Sequence, residues 1–396
     1  MIGDRIRRKR LAAAMSLQDL AEMLGSSGIR LSKAALSNYE TNKTVPNAKT
    51  LWALAKAFNV SMEYFVQNQN MSIALVGYRK QAGLSATRHD RILAIIQDEI
   101  EKRIEIEEIL GIERRVELPE QKTISAPEDV EQIAAAARDV WGLGDQPVSS
   151  VSALLEENGW YVISSPNEEG FDGLSGLVKP NNRPFAVSRG GISIDRMRLN
   201  LLHEVGHAYL VGAEEKLTEK AAFRFASAVL FPKAKVYDEV GHDRSSFGLD
   251  ELVLLKKKYG LSIQAMAFRF RDLGIISQSY FALIFTYMNQ KGFKVKEPGS
   301  EEPTFQEEPM AFKAQVYRAA SEGLISEQDI ARFLPEHTVR IEGSSLGSSA
   351  DIKRLLSLPK EEREKVLEAA ASAAVGDYES SEINLGETVD DVTEYS

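Results

Sequence analysis

Apolar residues return at helical spacing from the first positions of the chain. Leu17, Leu20, Ala21 and Leu24 fall on one face, and Ser16 stands where an N-cap belongs. The pattern predicts helices over 4–13 and 16–24, the second closed by Gly25. A loop over 26–30 follows. Ser32 can cap a third helix, Lys33–Glu40; a fourth runs Ala48–Phe58 after Pro46, and a short fifth ends at Phe65. Five short, tightly joined helices predict an all-α module over 1–68. Residues 69–120 change character: they are charged, with Ile92, Ile95, Ile96, Ile100, Ile104 and Ile109 recurring among the charges. They read as an amphipathic helical linker, expected to pack onto its own protein rather than pair with a second copy.

Beyond a boundary at Pro119–Pro127 the periodicities mix. Helices are predicted over 128–142 and 149–158, and strands over Trp160–Ser164, 172–178 and Pro184–Ser188. Two longer helices follow, Asp195–Leu210 and Glu219–Phe231, the second with Thr218 as cap and Pro232 as stop. Helices near 249–259 and 262–272 complete an α+β domain over 121–296. Residues 297–309, rich in Pro and Glu, read as a linker inside a helical extension over 297–349, with two helices in 311–334. Residues 350–396 read as a helix and an acidic tail. The fold class expected is multi-domain and mainly α, with one small sheet.

Composition narrows this picture. There is no cysteine, so disulfides, thiolate metal sites and a cysteine nucleophile are excluded. No run of about 18 apolar residues is present, and the charged N-terminus lacks a signal-peptide pattern, so a cytoplasmic protein with no membrane partner is expected. The net charge is -10, yet residues 1–68 hold ten Lys/Arg against five Asp/Glu, while 376–396 hold seven Asp/Glu and no Lys/Arg. A basic head on an acidic chain suggests local contact with nucleic acid.

The chemistry concentrates at 203–207, His-Glu-Val-Gly-His. Positions four apart share a helix face, so His203 and His207 can offer two imidazoles to one metal ion, with Glu204 beside them as general base. A catalytic zinc needs a third protein ligand and an open position. Leu210 and Ala213 occupy the places of the glycine and third histidine of the three-histidine pattern, so a carboxylate is required instead. Glu219 is the choice, since Glu219, Ala222, Phe223 and Ala226 share a face expected to pack on the metal helix. Glu214, Glu215, His242 and Asp243 are rivals. Tyr209 is a conceivable oxyanion donor but is expected to pack. Zn2+ is the expected ion, although two histidines and a carboxylate also suit Mn2+.

This part of the chain resembles the ImmA/IrrE metallopeptidases. The resemblance rests on Arg196 and Arg198 before the His-Glu-Val-Gly-His run, then on Glu219 through Phe225-Ala226 to Leu230-Phe231-Pro232. Trp141-Gly142-Leu143-Gly144 and Leu154–Gly159 match upstream. Leu261-Ser262, Ala265, Arg269 and Leu273–Ser277 match downstream, so roughly 127–290 is covered. It implies a zincin-like α+β domain and a zinc endopeptidase with ligands His203, His207 and Glu219 and base Glu204. Phe223 departs from the family, where an asparagine is frequent.

The first 68 residues resemble the XRE/Cro-C1 helix-turn-helix through Leu20-Ala21, Leu24-Gly25, Leu36–Glu40, Pro46, Leu51, Leu54 and Ala55. That resemblance places the start of the third helix in the major groove of an operator. Lys33, Ala34, Ser37 and Asn38 would then face base edges or phosphates, and Lys43 a phosphate. Arg7, Arg8 and Arg10 would add attraction. Leu17 stands where the family often has a phosphate-contacting glutamine, and Gln18 adjoins it. The link between the second and third helices is about five residues longer than usual.

Together these readings predict a DNA-binding zinc endopeptidase that regulates transcription by cleaving a small repressor or antitoxin-like partner, in stress response or a mobile element. One alternative is a regulator whose peptidase-like domain senses a ligand or partner without proteolysis; another is a toxin-like member of a toxin–antitoxin pair. Two-fold operators imply a homodimer.

Overall fold

The computed structural model describes residues 1–66, 71–76, 84–114, 116, 120–212, 214–293, 296–300, 304–335 and a few positions between 358 and 365. The helix and acidic tail read over 350–396 lie almost wholly outside the described residues.

Five helices open the chain: α1 (Ile2–Ala12), α2 (Leu17–Ser26), α3 (Lys33–Glu40), α4 (Ala48–Ala57) and α5 (Met62–Val66). Their ends follow cap chemistry. Ser16 and Asp19 form a reciprocal capping box on α2, Ser32 accepts from Ala35 N on α3, and Asn47 accepts from Thr50 N on α4. Gly25 does not stop α2, which continues to Ser26. Ile6, Leu20, Leu24, Leu36, Leu54 and Phe65 form the core of this module. At Gly3 a Cβ would sit 2.0 Å from the Tyr39 carbonyl oxygen, so only glycine allows α1 to lie this close to α3.

The stretch read as a helical linker contains a strand as well as a helix. β1 (Ser72–Leu75) is followed by α6 (Ala86–Leu110), capped by Ser85 and ended by Gly111 in the left-handed region. β1 is too short for its alternation to stand out in sequence. Ile92, Ile96 and Ile100 of α6 face a sheet, and Ile106 joins Phe312, Val316 and Phe333. The long amphipathic helix is thus packed on both sides within its own chain.

Next come β2 (Lys122–Ile124), a 3-10 turn (Pro127–Asp129), α7 (Val130–Val140), α8 (Val151–Glu157), β3 (Tyr161–Ser165), β4 (Gly173–Lys179) and β5 (Arg183–Arg189). The four-stranded sheet has the order β1-β4-β5-β3, with β3 and β5 parallel and the other pairs antiparallel. One face, with Tyr161, Ile163, Leu174, Phe185 and Val187, lies on α6. The other, with Val162 and Ala186, lies on α9 (Ile194–Tyr209).

β6 (Leu210–Gly212) pairs with β2 in parallel and leads into α10 (Glu215–Leu230). α10 begins a turn earlier than Thr218, whose hydroxyl accepts from Gly212 N rather than capping the helix. α9 and α10 meet at Gly206, where a Cβ would come within 3.1 Å of Ala222 Cα. α11 (Lys233–Val240), α12 (Leu249–Tyr259), α13 (Ile263–Asp272), α14 (Gln278–Gln290), α15 (Ala311–Ser321) and α16 (Glu327–Phe333) follow. No described helix is long and apolar enough to cross a membrane.

The Pro- and Glu-rich segment is not a free linker where it is described. Glu297 and Glu307 are buried. Glu297 accepts from Lys256 and from the first N–H groups of α13; Glu307 accepts from Val151 N, Ser152 N and Arg198. Both partners are remote in sequence, which is why composition alone points the wrong way.

Candidate metal centre

α9 carries Leu201, Leu202 and Val205 into the core, and this stripe fixes where its other faces point. His203 and His207 are buried one turn apart, and α10 sets Glu219 against both because Gly206 lets the two helices close up. His203 Nε2 and His207 Nε2 are 3.2 Å apart; Glu219 Oε2 is 3.6 Å from the first and Oε1 3.4 Å from the second. Donors about 2.1 Å from a tetrahedral ion stand roughly 3.4 Å from one another. The three separations therefore suit three corners of a tetrahedron. This is the group of His and acidic residues among the described ones that is spaced to hold a metal ion. Burial lowers the pKa of His207 and favours the neutral imidazole that a metal requires.

Glu204 is as deeply placed. Burial pushes its carboxyl up to about 8; the nearby Ser175 hydroxyl opposes that rise, while Glu219 and Asp172 add to it. Glu204 Oε2 has no hydrogen-bond partner and the side chain no ion pair among the described residues. Gly173 makes room for it: a Cβ there would lie 3.1 Å from Glu204 Oε1 and 2.7 Å from the Val187 carbonyl oxygen.

The four residues border one cavity of about 1390 Å³. Phe223 lines it too, its ring 4.0 Å from that of His203, and remains 45% exposed. It does not belong to the buried stripe with Ala222 and Ala226; it turns past the metal cluster into the cleft. The rival ligands lie apart. Glu214 and Glu215 are exposed at the start of α10, and His242 is exposed with its ring on Tyr237. Asp243 is exposed beside it. Tyr209 packs between Trp141 and Phe225.

In the N-terminal module, Lys33, Ala34, Lys43 and Gln18 are exposed, and Ser37 and Asn38 half-buried. The Gln18 amide donates to Glu22 at 2.5 Å. The cations of α1 do something different from what their sequence suggests. Arg7 pairs with Asp90 at 3.2 Å, Arg8 with Glu101 and Lys9 with Asp98, all on α6. Arg10 forks onto Glu40 at 2.6 and 2.7 Å. These groups join the module to α6 and to α3, and leave α3 and Lys43 as its open cationic side. Nothing local in sequence reveals this, because the acids on α6 lie 80 or more residues away and Glu40 lies 30 away.

Residues 6–65 match the helix-turn-helix family. That match makes the N-terminal module a DNA-binding one of the transcription-regulator kind. No curated protein matches the chain.

Proposed function

We propose that the chain is a DNA-directed metallo-endopeptidase of the ImmA/IrrE kind, which acts on a small repressor or antitoxin-like protein. The reading is carried by one observation: two imidazole nitrogens and a carboxylate, 3.2–3.6 Å from one another, converge in a large cavity beside a buried, unpaired glutamate.

The donor set fits Zn2+, and Mn2+ as a second choice, with His203, His207 and Glu219 as the ligands. A bound Zn2+ would polarise a peptide carbonyl and lower the pKa of water to about 7. The chain's residues do the rest. Glu204 accepts a proton from water and delivers it to the departing amine. Burial keeps that carboxylate poorly solvated, so its affinity for the proton is high. Phe223 covers one face of His203 and offers an apolar surface to a substrate side chain. The DNA module brings the cleft to a protein on its operator, so local concentration shares in substrate choice.

The test is metal analysis of the purified full chain, then incubation with the small helix-turn-helix protein of a neighbouring gene. Glu204→Gln is expected to keep the metal and to lose cleavage by at least a hundredfold. Unchanged cleavage removes the mechanism. Normal regulation of the target gene by the same variant instead supports sensing without proteolysis.

A further inference from the structure

The cavity runs from the metal cluster toward the start of α9, and its wall is rich in cations. Three of the six are neutralised, and Lys220 and Lys296 lie exposed to solvent. Arg196 meets Asp172 at 3.0 Å, Arg224 meets Glu131 at 2.9 Å and Glu128 at 3.1 Å, and Arg271 meets Asp272 at 2.7 Å. Arg189, the last residue of β5, differs. It lines the cavity and is half-buried, and it makes no ion pair or side-chain hydrogen bond among the described residues. Its Nε is shielded from solvent with no acceptor. A shielded N–H given no acceptor is unfavourable, and an acceptor arriving from the cavity would complete it.

What surrounds Arg189 favours an anion. Gly190 and Gly191 carry the chain from β5 into α9, and Gly191 adopts a φ of 72° that L side chains rarely take. The Ser193 side chain makes no cap bond on α9, so first-turn N–H groups remain unmatched by it at the same end of the cavity. Phe223 and Phe268, each 45% exposed, also line the cavity, the first against His203. Seven to ten helical residues separate Arg196 and Ser193 from His203, about 10–15 Å at 1.5 Å per residue. An extended peptide spans that in roughly three to five residues.

The geometry points to a carboxylate subsite. Arg189, aided by the start of α9, receives an Asp or Glu side chain of a bound peptide three to five residues from the bond held at the metal cluster. This assignment rests on reading the cluster as a peptidase centre.

The experiment uses the zinc-loaded full chain carrying Glu204→Gln and fluorescein-labelled decapeptides with one leucine. Glu or Gln is placed at each other position in turn, and the C-terminus is free or amidated. Anisotropy is expected to show about tenfold tighter binding for Glu over Gln at one position three to five residues from the leucine. Adding Arg189→Gln is expected to abolish the preference, and Arg189→Lys to restore part of it. Circular dichroism and zinc content check that each variant is folded and loaded. A preference that survives Arg189→Gln, one that follows the free C-terminus, or none at all in the Arg189 protein overturns the subsite. Cleavage by the unsubstituted protein is scored separately: an Arg189-dependent preference without cleavage supports the subsite and overturns the peptidase reading, and cleavage without that preference does the reverse.

Discussion

Glu204 on α9 and Glu307 packed against α9 are both buried carboxylates, and their surroundings have little in common. Glu307 meets Arg198 inside the fold, their side chains 1% and 0% exposed, and accepts from Val151 N at 3.0 Å and Ser152 N at 2.8 Å. Glu131 is similar, forked by Arg269 at 2.6 and 2.8 Å and joined by Arg224. Among the described residues Glu204 has no cation, and one of its oxygens lacks any donor. Around Glu307 charge is matched within the chain, so the group holds α8, α9 and the following segment together. At Glu204 the charge is left without a cation among the described residues, which folding alone does not reward. The difference separates residues that build the fold from residues that wait for something outside it. It recurs in the N-terminal module, where Arg7, Arg8, Lys9 and Arg10 of α1 are paired and Lys33 and Lys43 form no ion pair among the described residues.

The sharpest way to break the contrast is to remove one member of each kind. Arg198→Ala or Glu307→Ala leaves a buried charge alone and is expected to cost about 3–5 kcal/mol. Glu204→Gln removes a charge that has no partner and is expected to cost nothing, or to stabilise the metal-free protein. Urea midpoints of the three variants in the presence of chelator decide this. Equal losses at Glu204 and Glu307 would end the distinction.

How much of this was legible in the chain depends on how local the signal is. Helix α3 and the caps Ser16 and Ser32 could be read because a cap and its helix are adjacent in sequence. His203, His207 and Glu219 could be singled out because helical spacing puts two of them on one face and the third on the next helix. The roles of Arg8, Arg198 and Glu307 could not, since each depends on a partner 93 to 109 residues away. Phe223 shared a helical face with Ala222, yet only the width of the gap between α9 and α10 determines that a ring must leave it. β1 and β6, at four and three residues, are too short to show a period. Arg189 carried no signal at all: a lone arginine at a strand end looks like any solvated cation.

A second test adds the missing partner instead of removing one. Zinc at a hundred times its dissociation constant is expected to stabilise the protein by about 2.7 kcal/mol. His203→Ala, His207→Ala and Glu219→Ala are each expected to erase that gain, and Glu204→Gln to keep it. The measurement is the urea midpoint with and without zinc. If Glu219→Ala retains the full gain, the third ligand lies elsewhere and the approach of Glu219 to the two histidines needs another explanation.

In the N-terminal module the contrast predicts a coupling and a salt dependence. A double-mutant cycle on Arg8 and Glu101, read from urea midpoints, is expected to show a coupling of about 0.5–3 kcal/mol, because both side chains are largely shielded where α1 meets α6. The smallest effect is the most discriminating. Each phosphate contact releases counterions, so losing one lowers the slope of log affinity against log salt by about 1. Lys33→Ala or Lys43→Ala is expected to do this on operator DNA, since both cations lie exposed at and just beyond α3. Arg8→Ala is expected to leave the slope unchanged, since its guanidinium is already held by Glu101. A lower slope for Arg8→Ala would mean that α1 releases α6 when DNA binds, and the paired cations of this module would then belong with the waiting ones.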